Sequence, residues 1–276
     1  MQDQPTPPQL SDESPAVGLV DDAGDAADEQ SAPRPRHRRR RRTDWRLGGT
    51  AVRQWKGLVL SVALVGLGVG VLAASLIDTL WSSPWAPLAS TAALWVGMLV
   101  PVVYAFTRGR PAGLLRFRGT DLIWGLALGI ALRVLQGWVT DADAQPFPTG
   151  PLVEGRLAPT WLLTDAIPSG LIAPVVEEFF FRTVVLVAVY SLLRRAAGSF
   201  AAALGAVLVS TATFILIHAI DGSLPLTESI SLGAVGLVCS LLVVLTGRIW
   251  GAVLVHIVYN TSMLLLIAAG SALSGP

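Results

Sequence analysis

The sequence predicts an all-α fold, a polytopic bundle of about seven transmembrane helices preceded by a disordered N-terminal tail. Three observations carry that expectation. Of the 276 residues, 53% are hydrophobic and only 14% charged, and the mean hydropathy is +0.60, a composition that excludes an ordinary soluble domain. Apolar stretches long enough to cross a bilayer, about 20 residues each, recur along the chain. Acids and arginines sort onto alternate connections between those stretches.

The first fifty residues stand apart. The formal net charge of +1 hides an asymmetry, because eight of the nineteen acids precede residue 30 and the basic block RPRHRRRRR follows them. Residues 1–50 are rich in Pro, Asp, Ala and Arg and show no hydrophobic periodicity, so they cannot bury enough apolar surface to offset the entropy of ordering. An arginine cluster just ahead of a first span fixes orientation and meets anionic lipid. Arg34 to Arg42 are therefore assigned to anionic lipid, and no nucleic-acid partner is expected.

Seven spans are expected, at roughly 56–77, 86–106, 121–139, 160–192, 198–219, 228–246 and 249–270. Residues 51–119 form two N-terminal transmembrane helices, and 120–272 form the core. Gly66, Gly68 and Gly70 in the first span permit close helix packing. The fourth segment contains Pro168 and Pro174 and is expected to enter as a short helix, break, and restart near Pro174. Arg108, Arg110, Arg116, Arg118, Arg194, Arg195 and Arg248 fall on the same side as the basic tail. Asp78, Asp141, Asp143, Glu154, Asp221 and Glu228 fall on the other, with Arg156 the exception. This pattern predicts a multi-pass protein of the cell (plasma) membrane with its N-terminus cytoplasmic and its C-terminus external.

Three ionisable residues fall within two turns of the fourth span. Each costs roughly 2.5 to 3.5 kcal/mol at mid-bilayer on insertion scales, so Glu177, Glu178 and Arg182 must be compensated or used. Glu178 and Arg182 are four residues apart and share a helix face, while Glu177 points about 100 degrees away. A charge pair that merely holds helices together explains Glu178 and Arg182 but leaves Glu177 over. His218 and His256 are also intramembrane, and Asn260 lies one turn beyond His256 on the same face. Polar residues at membrane depth face one another or a wet cavity. Cys239 is the only cysteine; it is expected to be a small core residue, since neither an intramolecular disulfide nor a cysteine metal cluster can form.

Taken in order, EExxxR (Glu177, Glu178, Arg182), FxxxH (Phe214, His218) and HxxxN (His256, Asn260) on successive apolar segments resemble the motifs of the CAAX-protease and bacteriocin-processing (CPBP) intramembrane endopeptidases, CAAX prenyl protease 2-like. The resemblance covers roughly residues 120–270. It implies a hydrolase in which Glu177 is the base and His218 its partner on an activated water, Glu178 and Arg182 brace the site, and His256 and Asn260 stabilise the oxyanion. Peptide hydrolysis requires those roles independently: an activated water, an acid for the leaving amine, and donors to the oxyanion. Phe214, at helical spacing from His218, is expected to pack beside it. Phe179, Phe180 and Phe181 are expected to face lipid or pack between helices.

Two His and one Glu form a set that catalytic zinc accepts, so Glu177, His218 and His256 are candidate metal ligands. There is no HExxH, and no obligatory metal is expected. A peptide or membrane-protein substrate is implied, with peptide, pheromone or bacteriocin precursors and membrane-protein tails as candidates. Lys56 is the only lysine among twenty Lys and Arg residues, which points to a GC-rich bacterial genome. Two other functions fit the same residues less fully. One is a non-catalytic membrane scaffold or bacteriocin-immunity protein on the same fold. The other is a proton-coupled transporter, for which intramembrane Glu and His are suited but the inverted repeats are missing.

Overall fold

The computed structural model describes residues 44–47, 52, 54–220, 222 and 224–274. The rest of the tail, including the arginine block at 34–42, and Asp221 lie outside the described residues. Seven α-helices follow: α1 (Gly57–Leu80), α2 (Ala86–Arg108), α3 (Gly119–Val139), the short α4 (Ala173–Glu178), α5 (Leu186–His218), α6 (Leu226–Thr246) and α7 (Trp250–Leu273).

Among the described residues six helical stretches are long and apolar enough to cross a membrane, and one of them, Leu162–His218, is 57 residues long. At 1.5 Å per residue it would extend about 85 Å, against a hydrocarbon core of about 30 Å. It is divided at Gly198, whose φ of 77° and ψ of 175° are non-helical and suit a residue without Cβ. The stretch therefore makes two spans, which brings the bundle to seven.

The break expected ahead of Pro174 does not occur. Ile167, Ile172 and Ala173 keep right-handed helical dihedrals, and the helix instead widens to i→i+5 bonding over Leu162–Ala166, Pro168–Ile172 and Phe179–Val185. The N–H of Ile167 reaches the Leu162 carbonyl, that of Ala173 reaches Pro168, and that of Leu186 reaches Phe181. Such widening accommodates a proline that would clash with the carbonyl four residues back in a regular α-helix.

Glycines set the closest helix contacts. A Cβ on Gly66 would lie 2.7 Å from the Gly97 carbonyl oxygen, and one on Gly70 would lie 3.0 Å from Gly97 Cα, so α1 and α2 meet backbone to backbone; Gly68 has nothing within 4 Å. Pro101 deprives the Gly97 carbonyl of its intrahelical donor, and Gly66 leaves room for that oxygen. Gly125 and Gly129 of α3 receive Leu254 and Val258 of α7 in the same manner. The large exposed side chains, among them Val65, Leu72, Ile123 and Leu265, form the outer surface expected against lipid tails.

Two features modify the expected layout. Leu152–Val153 and Arg156–Leu157 pair as a two-residue antiparallel hairpin, β1 and β2, whose turn residues Glu154 and Gly155 both have positive φ. Glu-Gly between apolar residues is a weak version of the Asp-Gly hairpin signal, and the sequence reading did not use it. The tail also ends earlier than residue 50. Trp45–Leu47 form a 3-10 turn with Trp45 only 1% exposed. The Trp45 indole N–H donates to the Gly247 carbonyl at 3.2 Å and the Tyr190 hydroxyl to the Arg46 carbonyl at 3.0 Å. A tryptophan that buries its whole ring and satisfies its one donor offsets the ordering entropy of a short segment.

Candidate active site

Glu178 stands at the centre of a dry charge network. Its Oε1 lies 3.2 Å from Arg182 Nη1, with both side chains fully buried, and accepts a hydrogen bond from His256 Nδ1 at 3.0 Å. The pair at i and i+4 forms as the spacing requires, while α7 contributes the histidine. Arg182 also donates to the Gly236 carbonyl of α6 at 3.3 Å, and its guanidinium lies 4.6 Å from the centre of the Phe214 ring. One arginine thus ties the fourth span to α5 and α6, and its carboxylate partner ties it to α7. Removing either member of a pair buried this fully leaves an uncompensated charge, at a cost of about 3 to 5 kcal/mol.

Glu177 has a different setting. Its side chain keeps 13% of its exposure, and its carboxylate Oε2 lies 3.8 Å from His256 Nε2. That distance is too long for a direct hydrogen bond but can be spanned by one water accepting and donating at ordinary lengths. With Nδ1 donating to Glu178, neutral His256 carries its lone pair on Nε2, facing Glu177; the tautomer follows from the partner of the other nitrogen.

His218 is placed at the end of α5 and is exposed. Its Nδ1 lies 2.8 Å from the Phe214 carbonyl of its own helix, which leaves Nε2 for another partner. No hydrogen bond or ion pair joins Glu177 and His218 among the described residues. Phe214, fully buried, lies between the two histidines: its ring centroid is 4.7 Å from that of His218 and 5.7 Å from that of His256. It also packs edge-on against Phe181 at 5.5 Å. Phe180 and Phe181 are fully buried, and Phe179 packs against Phe106 and Trp250, so these three aromatics pack between helices.

Asn260 donates its Nδ2–H to the Ser169 carbonyl at 2.8 Å. The widened turn explains why that carbonyl is available. The Ala173 N–H is taken by Pro168, and the next residue, Pro174, has no N–H to give. Asn260 supplies the missing donor and retains a second amide hydrogen. Cys239 is buried against the same helices and donates to the Ala252 carbonyl at 3.6 Å.

No three His, Cys, Asp or Glu side chains converge as a metal-holding group among the described residues. Glu177, His218 and His256 are not brought together as one such group, although each histidine has only Nδ1 held, by Glu178 and by the Phe214 carbonyl, and keeps Nε2 free.

One intramembrane charge escaped the sequence reading. Arg133 of α3 donates to Ser262 Oγ at 3.1 Å, contacts the Tyr259 carbonyl and Gln136 Oε1, and lies 4.1 Å from the centre of the Tyr259 ring. The Tyr259 hydroxyl reaches Gln136 at 2.9 Å. This network locks α3 to α7 beside the helix face that carries His256 and Asn260. An arginine inside an apolar run, with a glutamine three residues on, was the available signal.

Residues 159–262 match the family model described as type II CAAX prenyl endopeptidase, Rce1-like. No curated protein and no solved structure matches the chain. The matched stretch contains Glu177, Glu178, Arg182, Phe214, His218, His256 and Asn260, and over that stretch the chain is similar to the type II CAAX prenyl endopeptidases.

Proposed function

We propose that the chain is an intramembrane endopeptidase in which Glu177 removes a proton from the water that attacks the peptide carbonyl. The observation that carries this reading is the division of labour between adjacent carboxylates. Glu178 is spent on Arg182 and His256, both fully desolvated contacts, whereas Glu177 has its oxygen 3.8 Å from the free face of His256. A carboxylate beside an imidazole, with no cation of its own, can accept and return a proton.

In this reading water is held by Glu177 with His256 Nε2 on one side and, from its position at the end of α5, His218 on another. Its proton passes to Glu177 as its oxygen bonds to the substrate carbonyl carbon. The developing oxyanion is met by the second amide hydrogen of Asn260. Glu177 then returns the proton to the amine as the C–N bond breaks, leaving a carboxylic acid and a free amine. Glu178 and Arg182 are positioning residues: they set the orientation and tautomer of His256 and do not touch the substrate.

Cleavage of a quenched peptide library by the purified chain in detergent, compared with Glu177→Gln and repeated with a chelator, tests the proposal. Cleavage by the wild type alone is the expected result, and survival of cleavage in Glu177→Gln would remove Glu177 as the base. Equal inactivity of two folded proteins would favour a scaffold.

A further inference from the structure

Away from the candidate active site, the opposite feature occurs: a concentration of positive charge. The N-terminal turn, the α2–α3 connection and the α6–α7 turn enclose a recess of about 220 Å3, lined by Arg46, Arg116, Arg118, Arg248 and Asp44. At about 30 Å3 per water it holds roughly seven waters, more than the five heavy atoms of a phosphate group occupy.

Two of its arginines are fixed parts of the wall. Arg248 makes a two-toothed contact with Asp121, at 2.7 and 3.2 Å to Oδ1. Arg46 pairs with Asp44 at 2.7 Å and donates to the Val244 and Leu245 carbonyls at 3.0 and 2.6 Å, capping α6. Each of these cations is matched by a carboxylate. Arg116 and Arg118 are not: neither side chain has an ion pair or hydrogen bond among the described residues. Among the described residues the recess therefore keeps two positive charges without a carboxylate partner.

The backbone places them together. Residues 116–118 are non-helical and Arg118 is extended, with φ −136° and ψ 150°. Alternate residues of extended chain share a face, so Arg116 and Arg118 point into the recess and Phe117 points away, 50% exposed. The recess also lies at span ends: α2 finishes at Arg108, α3 begins at Gly119, α6 ends at Thr246 and α7 begins at Trp250. That is the depth of lipid headgroups, and an exposed aromatic beside two arginines suits the interface.

We propose that this recess binds a phosphate group, supplied by the headgroup of an anionic phospholipid in the leaflet at this end of the bundle. Guanidinium groups match phosphate oxygens in charge and geometry, and basic recesses between helix ends are recurrent headgroup sites. This site is separate from the proteolytic residues and does not depend on their assignment. Its contact with the α6–α7 turn puts a bound headgroup two turns from His256 along α7.

The test is a titration of the full chain in neutral detergent with phosphatidylglycerol, phosphatidylcholine or inorganic phosphate, read as the shift in thermal midpoint. The variants are Arg116→Gln/Arg118→Gln and, as a charge-matched control on the same connection, Arg108→Gln/Arg110→Gln. The arginine block at 34–42 is common to all, so its own lipid attraction cancels. Phosphatidylglycerol is expected to saturate the wild type and the control at the same concentration, and the Arg116/Arg118 variant at a concentration roughly tenfold or more higher; phosphatidylcholine has little effect. Both altered side chains are exposed and make no pair among the described residues, so the variant folds, and single Arg116→Gln should fall between. Equal losses in the two double variants would mean diffuse surface charge and overturn the site. Saturation by inorganic phosphate with no further shift from phosphatidylglycerol would keep the phosphate site and overturn the lipid as its source.

Discussion

Asn260 completes the hydrogen bonding of Ser169, whose carbonyl is left without a helical donor by Pro174. The contact runs between two stretches ninety-one residues apart in sequence, and it presents Asn260 with one amide hydrogen used and one free. A backbone irregularity in the fourth span thereby positions a side chain of the seventh.

Pro174→Ala should undo this arrangement. An alanine at 174 supplies the N–H that Ser169 lacks, and Asn260 loses its obligatory partner. The helix gains an ordinary bond, so the thermal midpoint should hold or rise, while peptide cleavage should fall by about tenfold or more as the oxyanion donor loses its orientation. A variant that cleaves as fast as the wild type would separate Asn260 from the chemistry.

Glu177→Gln and Glu178→Gln should fail in different ways. Glu177 is partly exposed and outside the buried pair, so its replacement should change stability by no more than about 0.5 kcal/mol and reduce cleavage by a factor of 10² or more. Glu178→Gln leaves Arg182 as an unmatched buried cation, which should cost about 3 to 5 kcal/mol and appear first as a lower thermal midpoint in detergent. A thermal scan and a cleavage assay on the same two preparations distinguish the roles; equal stability of both variants would contradict the buried network.

The legibility of the chain follows interaction range. Helices and spans were readable because a 20-residue apolar run has few alternatives in a bilayer, and the Glu178–Arg182 pair was readable because four residues is a local distance. The partner of Glu178 was not: His256 is 78 residues away, and only the packing of α7 on α4 brings Nδ1 within 3.0 Å. The same limit applies to Asn260 and Ser169, and to Arg133, whose distant partners Tyr259 and Ser262 lie on α7. Pro168 and Pro174 misled locally, since a widened turn and a break begin with the same residues. Trp45 was hidden by the polar composition around it.

Gly198→Ala tests the division of the 57-residue helix. A φ of 77° with ψ near 180° belongs to a region that side chains avoid, and the added Cβ has open space around it. Any loss therefore reports backbone strain alone, expected at about 1 to 3 kcal/mol. If the thermal midpoint is unchanged, the bend at 198 is not obligatory and the two spans are not set by this glycine.

The N-terminal turn should behave as a clasp on the end of α6. Gly247 caps α6 with φ 72°, and a Cβ there would lie 3.1 Å from the Arg46 guanidinium carbon, so Gly247→Ala strains both the cap and the clasp. Trp45→Ala removes the buried ring and the bond to Gly247, and should cost about 3 kcal/mol or more if the segment stays docked in the wild type. The Arg46 hydrogen bond to Asp44 holds the aspartate carboxyl below its usual range, with Arg194 acting in the same sense. A lowered carboxyl contributes stability that is complete above the ordinary aspartate range and is lost only as pH falls below it, so the clasp should be insensitive to pH between 6 and 8, roughly. Limited proteolysis between residues 43 and 56 measures the docking directly. Faster cutting in Trp45→Ala and Gly247→Ala at constant pH, with no change in the wild type across that range, is the expected pattern, and equal cutting rates in all three proteins would show that the segment does not hold α6.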